Sequence, residues 1–181
     1  EGSKIVLTAR SGRSALAHRF HKLGYQFDRD DVDALYEEFL LVADRKKEVL
    51  EDELVFVFAG KFIEKKNPLL LIKAFTLLAL ENDKVRLVLV GNGILEQQMR
   101  NEIDSLSETI SKRVDILPFQ DQHEMKIIYR LAHVFVLPSI SETWGLSINE
   151  ALASGTPVLV SDKAGCAQDL VIDGNNGYIF H

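Results

Sequence analysis

The spacing of apolar positions changes near residue 53. Ahead of it, Leu16, Phe20 and Leu23 recur at helical steps, and Gly24 supplies a stop. The acidic stretch from Asp28 to Asp33 then offers several N-caps for a second helix. On that helix Val32, Leu35, Tyr36, Phe39, Leu40 and Ala43 return every three or four residues and draw one apolar stripe. Lys46 and Lys47 fall in its last turn, where cations complement the helix dipole. The pattern from Ser14 to Val49 therefore predicts a helical hairpin whose apolar face needs another surface.

From Leu54 onward, short β-rich runs alternate with helical stretches. The runs are Leu54–Ala59, Val85–Val90, Val114–Leu117, Val134–Leu137 and Pro157–Val160, with a last short one at Tyr178–Phe180. Most are too continuously apolar for a strand wetted on one face, so they read as interior strands of a parallel sheet. Between them Pro68–Leu80, Ile94–Ser107, Gln122–Ala132 and Leu146–Ser154 carry helical character, and Pro68 suits a first turn. Such repetition predicts a doubly wound α/β domain over 54–181, preceded by the helical hairpin of 1–53. Ligands in such sheets bind at the carboxyl ends of the strands, so the loops there are the candidate site.

Composition narrows the function classes. The chain has 181 residues, 46% hydrophobic and 27% charged, with a net charge of −6. Nine basic and twelve acidic residues precede Leu54, twelve and fifteen follow it, and neither part is a basic tail. A general affinity for nucleic acid or anionic lipid is not expected. One cysteine, Cys166, leaves no internal disulfide and fits a reducing compartment. No apolar run approaches the roughly 20 residues of a membrane span, and the amino terminus lacks the apolar core of a signal peptide. A cytoplasmic protein is expected, or one peripheral at the inner membrane in a full-length parent. His18, His21, His123, His133 and His181 show no paired metal-ligand spacing, and no metal is expected.

Four strand ends carry candidate chemistry. The first reads Ala59-Gly60-Lys61 and leads through Lys65-Lys66-Asn67-Pro68 into a helix. Lys61 and Lys66 near a helix amino terminus would suit a diphosphate, or form a solvated loop. The second reads Val90-Gly91-Asn92-Gly93. It is not a full dinucleotide fingerprint, because Glu96 stands where the third glycine belongs. It serves either the turn or a ligand. The fourth gives the strongest feature, Pro138 to Pro157, where Glu142 and Glu150 flank seven residues and a helix begins near Gly145. That helix would aim free N–H groups into the cleft. Glu150 would face the same cleft and accept from sugar hydroxyls. Acid–base chemistry, or a cap and a surface charge, are the alternatives. Trp144 reads as cleft wall or core. After the fifth strand Ser161-Asp162 and Ala164-Gly165 form a turn, and Asp173 to Gly177 reads as a tight structural turn.

The segments AGKFIEKKNP, VLVGNG, Glu142-x7-Glu150 and EALASGTPVLVSD occur in an order that resembles the carboxyl-terminal domain of retaining GT-B glycosyltransferases of family 4 (group 1), over about Leu54 to Phe180. The resemblance implies a Rossmann-like half of a GT-B fold that binds a nucleotide-sugar donor without metal. It implies that Glu150 binds the ribose and that Glu142 contacts the transferred sugar or its phosphate surroundings. Lys61, where arginine is commoner, and Lys66 would hold the diphosphate and stabilise the departing charge. Backbone N–H groups around Gly145 and Leu146 would assist, with the Gly60 and Gly91-Asn92-Gly93 loops beside them. Leu117–Phe119 corresponds to the loop near the nucleobase, Phe119 being the contact, although Pro118 stands where glycine is usual. The acceptor (sugar, lipid or protein) would need the amino-terminal GT-B domain, so the unit is expected to be inactive alone. The first 53 residues, with KIVLTARSGRSALAHRFHKLGY and ADRKKEV, are similar to the post-barrel linking segment of 2-isopropylmalate synthase. No catalytic residue of that enzyme carries over. The combination implies a fused, recombined or engineered chain with its junction between about Glu51 and Leu54, leaving a scaffold without activity and a synthase fragment as further readings.

Overall fold

Six runs rich in β-branched and aromatic residues become the strands of one sheet: β1 (Leu54–Ala59), β2 (Val85–Val90), β3 (Val114–Leu117), β4 (Val134–Leu137), β5 (Val158–Ser161) and β6 (Gly177–Phe180). The computed structural model describes residues Glu53–His181, and Leu54–His181 form one unit. The helices expected between Ser14 and Val49 lie outside the described residues. The strand order is β3-β2-β1-β4-β5-β6, and every neighbouring pair is parallel. Because helices cover a parallel sheet on both faces, its strands need no polar alternation. Phe58, Leu87, Leu89, Phe135 and Leu137 are fully buried. Each such side chain contributes roughly 1.5–3 kcal/mol through burial. The polar residues within the strands are matched: Arg86 on β2 reaches Asp115 on β3 at 3.1 Å.

The connecting helices are α1 (Pro68–Glu81), α2 (Glu96–Asp104), α3 (Glu108–Ser111), α4 (Gln122–Leu131), α5 (Leu146–Ala153) and α6 (Ala167–Leu170). Helix α1 starts with Pro68 in its first turn and buries Leu71, Ile72, Phe75 and Ala79, one face at helical spacing. Helix α4 opens with a capping box: Asp121 Oδ1 accepts from the N–H groups of His123 and Glu124, and Glu124 Oε2 accepts from Asp121 N–H. That cap fixes the helix so that Met125 and Tyr129, four residues apart, point inward.

Two expected elements differ. The helix predicted over Ile94–Ser107 is shorter and is followed by a second one. Leu95 N–H is committed to the carbonyl of Phe62, which delays the start. Ser105 Oγ donates to Glu102 O near the end of α2, and the Ser107 carbonyl opens α3 by accepting from the N–H groups of Ile110 and Ser111. The strand predicted at Pro157–Val160 is shifted one residue along, since Pro157 has no N–H for the ladder. Helix α6 was not foreseen. The remaining boundaries agree to within one residue.

The chain runs outward from β1 through β2 to β3, then crosses to β4 on the other side of β1. That reversal leaves a crevice beyond the carboxyl ends of β1 and β4. The loops after β1, β2, β4 and β5 leave the sheet at this edge, whereas the turn from Asp173 to Gly177 leads into β6 at the other.

Candidate nucleotide-binding site

On one side of the crevice the loops after β1 and β2 are joined backbone to backbone. Gly60 N–H donates to Val90 O, Phe62 N–H to Asn92 O, and Leu95 N–H to Phe62 O, at 2.8–3.0 Å. This contact explains the glycines. A Cβ on Gly91 would stand 2.0 Å from the Gly60 carbonyl oxygen, and one on Gly93 2.4 Å from that of Phe62. Phe62 is fully buried and stacks on Phe58, with ring centroids 6.3 Å apart. The Gly91-Asn92-Gly93 loop is thus first a packing device. It also presents Gly91 and Asn92 to the crevice.

On the other side, Gly145 N-caps α5 at φ 102, a left-handed conformation that favours glycine. The preceding loop is stitched to the loop after β5: Gly165 N–H donates to Glu142 O and Cys166 N–H to Trp144 O, both at 3.0 Å. With its backbone held, Glu142 turns its carboxylate to the ammonium of Lys66, and the two half-buried groups form an ion pair. Lys66 lies in a 3-10 turn, Glu64–Lys66, and its stem passes beside Gly60 at the end of β1. The pair therefore joins the loops after β1 and β4.

Between these sides lies a cleft of about 360 Å³. Of the residues expected from sequence, Gly60, Lys61, Gly91, Asn92, Phe119 and Glu150 line it. Lys66, Glu142, Gly93, Gly145 and Leu146 are outside its lining, although Ser147, in the first turn of α5, is in it. Phe119 is 70% exposed at the rim. Trp144 is absent from the lining and donates from Nε1 to Asn149 Oδ1 at 2.9 Å.

Tyr129 also lines the cleft, and the sequence reading passed over it. Its hydroxyl donates to Glu150 Oε2 at 3.0 Å. Burial, followed by the Glu150 charge and this hydrogen bond, pushes the phenol above its ordinary range, so it stays protonated and donating. The available signal was a tyrosine four residues after Met125 on a buried stripe, since a buried phenol needs a partner. Burial also raises the Cys166 thiol, which is unsuited to act as a thiolate. Among the described residues no group of three or more His, Cys, Asp or Glu is placed to hold a metal ion.

A parallel sheet ordered 3-2-1-4-5-6, with a cleft at its switch point, defines a Rossmann-like α/β class. The family model described as "Glycosyl transferases group 1" matches residues 42–181, and the chain belongs to that family. Its match begins ahead of Leu54, within the segment read as amino-terminal. An uncharacterized glycosyltransferase of Methanocaldococcus jannaschii is 31% identical over 134 residues, which cover 73% of this chain and 33% of that protein. The solved structure of Anabaena Alr3699/HepE in complex with UDP-glucose superposes with a TM-score of 0.61 at 25% identity, covering 86% of this chain and 40% of that one. A short segment has a different likeness. It is 49% identical over 61 residues to 2-isopropylmalate synthase of Parabacteroides distasonis, covering 34% of this chain and 12% of that enzyme. The chain thus spans about a third of the glycosyltransferase relative and about an eighth of the synthase. Among the described residues no helix is long and apolar enough to cross a membrane.

Proposed function

We propose that Leu54–His181 is the donor-binding half of a hexosyltransferase that takes a sugar, with retention, from a nucleoside diphosphate sugar. The observation that carries this reading is the switch-point cleft, which brings the Glu150 carboxylate and Lys61 to one wall-to-wall space beside the glycine loops. In this reading Glu150 accepts from the ribose hydroxyls, a charge-assisted contact. Phe119 lies against the nucleobase. Lys61 and Lys66 face the diphosphate and stabilise the charge on the leaving group, with the N–H groups at the start of α5 adding partial positive charge. Lys66 reaches the phosphate only by loosening its ion pair, and that releases Glu142 toward the sugar. These cationic and N–H groups take the role a metal would otherwise have. The acceptor belongs to a second domain of the GT-B kind, and the unit alone does not transfer sugar. UDP-glucose in the Anabaena relative makes a uridine donor the first to test.

Calorimetric titration of the chain with UDP, GDP, ADP and their sugar conjugates, without metal, tests this. Saturable binding to one base, strengthened by the sugar, is the expected result. A folded sample that binds none of them rejects the reading. A second reading is a composite chain whose Rossmann-like part serves only as scaffold. It is favoured by the presence of synthase-like and glycosyltransferase-like segments in one chain. The same titration separates the two.

A further inference from the structure

Glu150 and Tyr129 are held together in a way that the donor-site reading does not require. Tyr129 is 2% exposed, and its ring meets Phe135 of β4 edge to face, with centroids 5.4 Å apart at 76°. Its backbone carbonyl accepts from the hydroxyl of Thr156, which is itself buried. Thr156 N–H in turn donates to Ala151 O at the end of α5. The phenol is thus fixed to the sheet and to the helix that carries Glu150. From this support it donates to one carboxylate oxygen, Oε2. Among the described residues Oε1 has no hydrogen-bond partner, and Glu150 lines the cleft.

A free glutamate side chain has many rotamers, and ordering it on binding weakens the complex. A donor that occupies one oxygen beforehand removes that cost. The choice of donor also matters. A lysine or arginine here would neutralise the carboxylate and compete for it, whereas a neutral phenol leaves the negative charge available for incoming hydroxyl donors. The other acidic residue of the site, Glu142, has the opposite arrangement, since its partner is a cation.

We propose that Tyr129 is a positioning residue for ribose recognition: its hydroxyl holds Oε2 of Glu150 so that Oε1 meets the ribose hydroxyls of a bound nucleotide. The inference rests on the donor-site reading above. It assigns Tyr129 no contact with the reacting atoms.

The test is calorimetry on the full chain. UDP, GDP and ADP are titrated into the wild type to select the nucleotide that binds. That nucleotide and its 2′,3′-dideoxy counterpart are then titrated into wild type, Tyr129→Phe, Glu150→Gln and the double variant. Phenylalanine keeps the packing against Phe135, and thermal melting checks the fold. Tyr129→Phe is expected to weaken ribonucleotide binding about tenfold. Its affinity for the dideoxy form should match wild type, and in the Glu150→Gln background it should add nothing. Thr156→Val, which removes one of the two donors to the Tyr129 carbonyl (Ala132 N–H remains) while keeping the phenol, gives a second and weaker readout in the same direction. Unchanged ribonucleotide affinity in Tyr129→Phe overturns the inference, and so does equal weakening of both nucleotides. A folded wild type that binds none of the three nucleotides defeats the donor-site reading itself, and the inference with it.

Discussion

The two sides of the cleft offer different groups, backbone on one and paired side chains on the other. After β1 and β2 the chain approaches itself backbone to backbone, with no room for a side chain at Gly91 or Gly93. After β4 the backbone is likewise held, by the loop after β5, but the groups it offers are side chains, with Glu142 paired to Lys66 and Glu150 to Tyr129. The first arrangement cannot be altered without moving a strand end. The second can lose a functional group while the backbone stays in place. Substitution on the first side should therefore change stability, and on the second side binding.

The largest expected effect comes from Gly91→Ala, because its Cβ would overlap the Gly60 carbonyl. A loss of about 3 kcal/mol in urea unfolding is expected. Gly155→Ala is the control: its φ of 81 is also left-handed, but nothing lies within 4 Å of the added Cβ. It should cost only about 1 kcal/mol. Equal losses in both would break the comparison. Next come Lys66→Ala and Glu150→Ala, each expected to weaken nucleoside diphosphate binding by roughly 1–3 kcal/mol in calorimetry. Lys66→Ala should keep a melting temperature near wild type, and Glu150→Ala should lower it because the Tyr129 hydroxyl loses its partner. Unchanged affinity in both would remove the site assignment.

Glu142→Gln sharpens the contrast on a smaller scale. Releasing Lys66 should raise affinity for the bare diphosphate by roughly 0.5–1 kcal/mol and shrink the gain the sugar adds. A fall in affinity for both ligands would mean that Lys66 does not need to be freed. The smallest effect concerns acid pH. The N–H of Glu124 holds the exposed Asp121 carboxyl below its usual range against an upward push from desolvation, and the N–H and charge of His123 add to the lowering. A folded value below the unfolded one stabilises the protein above the usual carboxylate range, about pH 4, and the contribution fades as pH falls through the folded value. Asp121→Asn keeps a cap but should remove this part of the decline in melting temperature between pH 5 and pH 2.

Much of this arrangement was legible from residue types. The strands were plain because both faces of a parallel sheet are buried, which leaves apolar runs such as VFVL and VRLVLV with few interruptions. The helix over Ile94–Ser107 was over-extended because its start depends on Leu95 N–H meeting Phe62, a contact across two loops that no local pattern records. The same limit applies to the site. Spacing let Glu150 face the cleft, since its place in α5 follows from the helix start at Gly145, and left a surface charge as the alternative. It did not reveal that Lys66 and Glu142, 76 residues apart, pair with each other. The glycines of Gly91-Asn92-Gly93 were visible, but the neighbouring loop that makes them necessary was not. Tyr129 was missed because a tyrosine on an apolar stripe looks like packing until its hydroxyl is placed.

Hydrogen–deuterium exchange of the full chain, with and without saturating UDP, reports directly on whether the switch-point cleft holds the nucleotide. Added protection is expected at the cleft loops Ala59–Lys66, Val90–Asn92 and Phe119–Gln122 and in the first turns of α5 from Gly145 to Glu150. The separate groove lined by Arg100 and Lys112 should stay unchanged. Protection at that groove, or binding with no protection at the switch-point loops, would contradict the cleft assignment.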